Sequence, residues 1–444
     1  MGFSSRRLLL VLLDLAAILL AYNTALYFRS GYHLIVVIEQ YPLLHFSFVL
    51  LPLVFYIFDL YHPFKYFKPF QTLVDILLSV VTGGIILAAI SYLDRSFLLP
   101  RLTLACALLA LVLFVFLIRL FYDFLFRYRF LDKRTLILGS GALALEIAKV
   151  IRETPHSGME LIGLVSESKR AKFERKNGLP IVGDIANLIS LIDWYRIQLV
   201  ILALNPKEEI SETETMSVLL KHRVIVTSSI HLFERLTGGV PYRLLGSHYL
   251  LGLMAQVRTK VYPKVKRIID LICASGLLVV FLPVSIATAL ILTLSGPGNV
   301  FFIQERIGKD GVPFRLFKFR SMTEGRKRKK TINWFGKFIR RYRIDEIPQL
   351  INVLYGDMSL IGPRPEVPYF VERSSRRIPF YDAVFAVKPG LTGWAQVMFR
   401  HATSVKDYNQ KFSYNVYYLK NVSFALDLLI FLKTIRVVFL GKGK

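Results

Sequence analysis

The sequence predicts a membrane α-helical bundle joined to α/β structure: four transmembrane helices, a doubly wound middle domain, and a second α/β domain on a re-entrant membrane helix. Three observations predict it. Four apolar runs each approach the roughly 20 residues that cross a bilayer core, namely Leu8–Phe28, Leu43–Tyr61, Thr72–Leu93 and Leu102–Leu125. Strand-like and helix-like patterns then alternate. A fifth apolar run, Leu271 to Leu294, has basic residues on both sides. With 54% hydrophobic residues and a mean hydropathy of +0.48, the chain is too apolar for an ordinary soluble protein. The expected domains are 1–128, 129–255 and 256–444, with the re-entrant helix at 268–294.

The first run follows Arg6 and Arg7 but lacks a small-residue cleavage site, so it reads as a retained anchor. Basic residues set the orientation. Arg6, Arg7, Lys65, Lys68, Arg127, Arg129, Lys133 and Arg134 fall on one side of the bundle, against Arg29, Arg95 and Arg101 on the other. Both ends of the bundle are therefore expected in the cytoplasm, and the protein in a bacterial inner membrane.

After the bundle, Thr135–Gly139 reads as a buried strand and Ala142–Arg152 as a helix. Further strands are expected at Leu161–Val165, Gln198–Leu202 and Val224–Thr227, which makes a Rossmann-like parallel sheet. Gly139 and Gly141 form G-x-G-x-x-A directly after the first strand, where a nucleotide's phosphates could meet a helix start. The alternative is that these glycines serve only a tight turn. Glu167, the nearest acid for a ribose, is surrounded by basic residues. A Tyr-x-x-x-Lys pair, Tyr262 and Lys266, lies outside the sheet and matches dehydrogenases only by accident.

The fifth run is introduced by Lys264, Lys266, Arg267 and Asp270 and carries Pro283 in its middle. The segment beyond it is even more basic, so a helix bent at Pro283 that enters and leaves on one face is expected; a kinked true span is the alternative. From Arg315 to Arg343 there are twelve Lys or Arg and one acid, Glu324. Next come Asp345 and Glu346, then Pro348 and apolar residues at helical spacing. A helix is expected to begin near Glu346, with Pro348 in its first turn and Asp345 at its start. A carboxylate amid that much positive charge, beside a membrane segment, points to phosphoryl chemistry on a membrane-bound substrate; the plain alternative is a helix cap. Phe424–Leu440 suits a helix lying in the membrane interface or packed on the domain.

The net charge of +26 raises nucleic acid as a partner, but no recognition helix, zinc spacing or RNP-like motif appears. Anionic lipid headgroups account for the charge better. Cys106 and Cys273 both sit in apolar runs and make neither a disulfide framework nor a metal site.

From about Lys264 to Leu440 the sequence resembles the bacterial sugar transferases, the monotopic phosphoglycosyl transferases. The matching stretches are Lys266–Asp270 with Pro283, Gly296-Pro297, Gln304–Gly308, Phe314–Met322, Asp345–Leu350, Gly362-Pro363-Arg364-Pro365, Pro389–Gly393 and Tyr417-Tyr418. The first 250 residues resemble the longer members, which join four spans and a nucleotide-binding-like domain to the catalytic unit. The resemblance implies transfer of a hexose 1-phosphate from a nucleotide sugar, expected to be a UDP-sugar, to polyprenyl (undecaprenyl) phosphate. It assigns Asp345 as nucleophile and Glu346 as the carboxylate holding Mg²⁺. Lys318, Arg320, Arg340 and Arg364 would line the phosphate and nucleotide site, with surface or headgroup charge as the alternative for each. The pathway implied is exopolysaccharide, capsule or O-antigen synthesis.

Two departures stand out: Asn415 where the family usually has aspartate, and the basic run Arg326–Lys330 where longer members are more acidic. Two rival readings remain, a membrane-anchored nucleotide-sugar dehydratase or epimerase acting through the middle domain, and a non-catalytic scaffold. Neither the sugar nor the middle domain's ligand can be read from the residues. The role of His401 and the existence of a homodimer are equally open.

Overall fold

The computed structural model describes residues 3–31, 42–61, 67–93, 100–127, 132–154, 157–166, 175–176, 178–203, 219, 224–241, 252, 262–295, 298–324, 330–331, 334–399 and 405–439. Glu167, Gly296-Pro297, Arg326–Lys329 and His401 lie outside them. The chain divides into two compact units, Met1–Leu232 and Phe233–Lys444.

The first unit opens with helices Phe3–Ser30, Pro42–Ile57, Pro69–Leu93 and Arg101–Arg127. The first packs on the second and fourth, and the third on the second and fourth, closing a four-helix bundle. Three of the four are long and apolar enough to cross a membrane. The second is shorter than the run Leu43–Tyr61 suggested. It has 16 residues, about 24 Å at 1.5 Å per residue, and gives way to a turn in which Asp59 takes a left-handed φ of 58°. Small residues let the helices approach: a Cβ on Gly83 or Gly84 would stand 2.6 Å from Leu51 or Leu108 respectively. Leu10, Ile18, Leu51, Phe55, Ile76 and Val115 fill the interior, while Leu12, Val49, Ile85, Leu109 and Phe121 face outward. An ion pair crosses this apolar core. Arg119 donates to both oxygens of the fully buried Asp14, at 3.0 and 2.6 Å, beneath the ring of Tyr61.

The sheet follows as β1 (Lys133–Leu138), β2 (Met159–Ser166), β3 (Arg175–Lys176), β4 (Leu179–Asp184), β5 (Leu199–Leu202) and β6 (Ile225–Ser228). Its order is β3-β4-β2-β1-β5-β6. All pairs are parallel except β3 with β4. The four expected strands are present and parallel; β4 was not expected. Leu136, Ile137 and Leu138 of β1 are wholly buried. Gly139 has a φ of 124°, open to glycine alone, while its N–H still bonds the carbonyl of Val165 at 2.9 Å. Gly141 then caps the helix Ala142–Glu153.

The second unit is built on the 33-residue helix Tyr262–Leu294, assigned as one element with Pro283 inside it. Both ends hold the same domain. At the start, Arg267 donates to the carbonyls of Val353 and Leu354, Asp270 accepts the N–H of Leu360, and Lys266 pairs with Asp427 at 2.5 Å. At the end, Arg320 donates to the carbonyl of Leu292 at 3.0 Å, and Leu292 packs with Phe319, Phe335 and Ile339. Between these anchors Val279, Val280, Phe281 and Leu282 are exposed.

The hairpin of β7 (Phe301–Ile307) and β8 (Pro313–Phe319) is tied to the helix Gln349–Tyr355 by buried Asn352, which accepts from the Phe317 N–H and donates to the Arg315 carbonyl. A short parallel pair, Ser359–Ile361 with Gly390–Thr392, completes the centre. In the helix Phe424–Phe439, Leu426 and Ile430 are buried and Phe424, Leu428 and Phe431 are exposed. It therefore packs on the domain and shows its other face outward.

Removing one member of the Asp14–Arg119 pair leaves a buried charge, which costs about 3 kcal/mol or more. Asp14→Leu should lower the thermal midpoint of the detergent-solubilised chain by several degrees, and Asp14→Leu/Arg119→Leu should recover most of it.

Candidate active site

Asp345 and Glu346 sit in a 3₁₀ turn, Ile344–Glu346, entered through Arg343 in a left-handed conformation (φ 61°). The following α-helix begins only at Gln349, with Pro348 as its cap. This corrects the expected start at Glu346. The N–H groups of Glu346 and Ile347 are already bonded to the carbonyls of Arg343 and Ile344, so Asp345 precedes the helix rather than opening it.

Both carboxylates are buried, at 8% and 7% exposure, yet their surroundings differ. Glu346 receives three cations: Lys318 Nζ at 3.2 Å and Arg364 Nη2 at 3.1 Å on Oε1, and Arg343 Nη1 at 3.1 Å on Oε2. Burial alone would raise its pKa, but Arg364, Lys318 and Arg343 outweigh it and hold the carboxyl well below the usual range. Asp345 has no side-chain hydrogen bond among the described residues. Burial first, then the neighbouring Glu346 charge, push it up to about 6 against the pull of Lys318, Arg343 and Arg340. Two adjacent carboxylates are thus driven apart, one permanently charged and one poised near neutrality. Burial lowers the Lys318 ammonium, with Glu346 opposing, whereas the Glu346 charge raises Arg364.

Each cation is positioned by a distinct element. Lys318 lies near the end of β8, and Arg340 is in the last turn of the helix Trp334–Arg341. Arg364 stands in a loop laced to the Pro389–Gly393 segment: Gly362 N–H bonds Thr392 O at 2.9 Å and Gly390 N–H bonds Pro363 O at 2.8 Å. A Cβ on Gly390 would lie 2.0 Å from the Gly362 nitrogen, and one on Gly393 2.0 Å from its oxygen. Those glycines permit backbone to press on backbone. Behind the cluster, Arg306 donates to Pro365 O at 3.0 Å, and Glu366 pairs with Lys411.

The structure therefore gathers Asp345, Glu346, Lys318, Arg340 and Arg364. It does not bring Arg320 to them; that side chain is committed to Leu292 O and packs so closely on Gly298 that a Cβ there would meet its Nη1 at 2.1 Å. Lys266, Arg267 and Asp270 anchor the start of the long helix, and Pro283 lies in its exposed stretch. Tyr262 and Lys266 both end on Asp427. Gly139 and Gly141 belong to the other unit. Arg343 and Arg306 were missed as site residues. Arg343 carried a signal, its i,i+3 spacing to Glu346.

No cluster of three His, Cys, Asp or Glu exists among the described residues. Mg²⁺, however, is commonly held by one or two carboxylates with substrate phosphates and water. The Asp345–Glu346 pair fits that donor set, provided a bound phosphate draws the cations off Glu346.

Comparison with known proteins gives two family matches: a bacterial sugar transferase domain over residues 261–441 and a CoA-binding domain over residues 56–224. The chain is 41% identical over 189 residues to the uncharacterized sugar transferase EpsL of Bacillus subtilis, covering 40% of this chain and 89% of that one. It is 42% identical over 219 residues to the UDP-N-acetylgalactosamine-undecaprenyl-phosphate N-acetylgalactosaminephosphotransferase of Aeromonas hydrophila, covering 47% of this chain and about half (51%) of that one. A UDP-glucose:undecaprenyl-phosphate glucose-1-phosphate transferase of Xanthomonas campestris pv. campestris is 30% identical over 322 residues, with 69% of this chain and 66% of that one covered.

Carbodiimide labelling of Asp345, followed by mass spectrometry across pH, should report a midpoint near 6. Glu346→Gln should shift it downward, because it deletes the repelling charge and leaves three cations unneutralised.

Proposed function

The chain belongs to the bacterial sugar transferase family, and from that premise we propose that it transfers a hexose 1-phosphate from a UDP-sugar to undecaprenyl phosphate. The observation that carries this reading is the split between the two carboxylates: a charged Glu346 locked by cations beside an unbonded Asp345. UDP-sugars and undecaprenyl phosphate are the substrates in the names of the Aeromonas and Xanthomonas relatives.

In the proposed mechanism a carboxylate oxygen of Asp345 attacks the sugar-bearing phosphorus. The bond from that phosphorus to the bridging oxygen breaks, and UMP leaves with the oxygen. An oxygen of undecaprenyl phosphate then attacks the same phosphorus, freeing Asp345 and forming the undecaprenyl diphosphate sugar. An anion attacking an anion needs preorganised positive charge, which Lys318, Arg343 and Arg364 supply once they turn from Glu346 to the phosphates, with Arg340 adding to the field at Asp345. Mg²⁺ held by Glu346 would neutralise diphosphate charge.

The long helix supports a re-entrant reading. Contacts of one domain with Arg267 near the start of the helix and with Leu292 near its end favour both ends lying on the same side of a bilayer. The catalytic domain then faces the cytoplasm of an inner-membrane protein that starts a lipid-linked glycan of the exopolysaccharide, capsule or O-antigen kind. For the middle domain, the strand order and Gly139 and Gly141 at the turn after β1 support a Rossmann-like site for a nucleotide or other phosphate ligand.

With Mg²⁺ and undecaprenyl phosphate, one UDP-sugar should give acceptor-dependent UMP release. Asp345→Asn should abolish it and Arg364→Ala should lower kcat about 10²- to 10³-fold; release unaffected by Asp345→Asn would reject the mechanism. In a Cys106→Ser/Cys273→Ser background, a cysteine at Lys309 should resist impermeant maleimide applied to whole cells, and labelling there would reject re-entrance.

A further inference from the structure

The second unit contains a cavity of about 590 Å³ that shares no residue with the Asp345–Glu346 cluster. That volume suits a small ligand. Its rim is cationic, carrying Lys264, Arg267, Lys309 and Lys388 against Asp270 and Asp310. Part of its floor is apolar, formed by Ile361, Val422 and Tyr418. Lys264 is also the first residue of the membrane-length stretch Lys264–Leu294, so this part of the lining lies at the end of that stretch, where headgroups would be met.

The cations of the lining outnumber its acids. Lys266 takes Asp427, Asp270 accepts the Leu360 N–H, and Asp310 lies 3.8 Å from Lys309. Among the described residues Arg267 forms no ion pair; it donates to the carbonyls of Val353 and Leu354 in the last turn of the helix Gln349–Tyr355. Lys264 and Lys388 have no ion pair or hydrogen bond among the described residues. The heads of Arg267 and Lys388 converge on Gly356, where a Cβ would stand 3.3 Å from Arg267 Nη2 and 3.4 Å from Lys388 Nζ. Burial, with Arg267 and Lys309 beside it, lowers the Lys388 ammonium below its ordinary range, against Asp270 and Asp357. Like charges drawn together around a cavity call for an anion.

We propose that this cavity is a phosphate site at headgroup depth, taking the phosphate of an anionic membrane phospholipid between Lys264, Arg267 and Lys388. The apolar floor favours a lipid, whose glycerol and first acyl carbons would cover it; free phosphate is the other source of the same chemistry. The site is independent of the transferase reading, and its test needs no turnover.

The full chain in detergent micelles is acetylated with and without phosphatidylglycerol, phosphatidylcholine or inorganic phosphate, and modification is read by mass spectrometry at Lys388 and at exposed Lys149. Phosphatidylglycerol should slow acetylation of Lys388 at least fivefold and leave Lys149 unchanged. Equal protection by millimolar phosphate would keep the site and assign it to the free ion. No protection by either would overturn it. Native mass spectrometry should show one bound phosphatidylglycerol lost in Lys264→Gln/Lys388→Gln and retained in Lys388→Arg; an unchanged lipid count in the double variant would also overturn the proposal.

Discussion

The ion cluster around Glu346 is what the second unit is arranged to hold. Taking a carboxylate out of water costs several kcal/mol, recovered only by well-placed partners. Here the partners arrive from three separated stretches: the end of β8, the left-handed turn at Arg343, and the loop between Pro363 and Pro365. Each must be fixed before the carboxylate can stay buried and charged. Asn352 fixes the strand, the 3₁₀ turn fixes Arg343, and the contact between Gly362 and Gly390 fixes the loop.

Asp345 depends on the same arrangement by contrast. Its neighbour takes up the local cations, so it is buried without a side-chain hydrogen bond among the described residues, and its proton is held more tightly. The sequence motifs scattered over a hundred residues thus meet in few interactions. Gly362–Pro365 and Pro389–Gly393 are two halves of one laced loop. Lys266 and Tyr418 both end on Asp427, which ties the long helix to the C-terminal helices.

Periodicity made the parallel sheet legible, because buried strands such as Thr135–Leu138 are uninterrupted apolar runs. β4 escaped because Leu179-Pro180-Ile181-Val182-Gly183 carries a proline and a glycine that read as a turn. Helical spacing located the segment after Asp345 but not its start, since a left-handed Arg343 and a 3₁₀ turn leave no periodic trace. Lys318 and Arg320 look alike in the sequence, two apart on a strand. The strand ends at Phe319, so Arg320 leaves the face they would share and bonds the long helix. Where a cation ends up is decided by tertiary contacts that spacing does not record.

The Asp14–Arg119 pair sets a schedule for making the protein. The two residues are 105 positions apart, in the first and last helices of the bundle. At about 5–20 residues per second, a newly inserted first helix waits roughly 5–20 seconds for its counter-charge to be synthesised. An unpaired aspartate in a bilayer is unfavourable by about 2.5–3.5 kcal/mol. Until the fourth helix emerges, the first needs shelter from lipid, so the insertion machinery, rather than the finished fold, would be the first partner of Asp14.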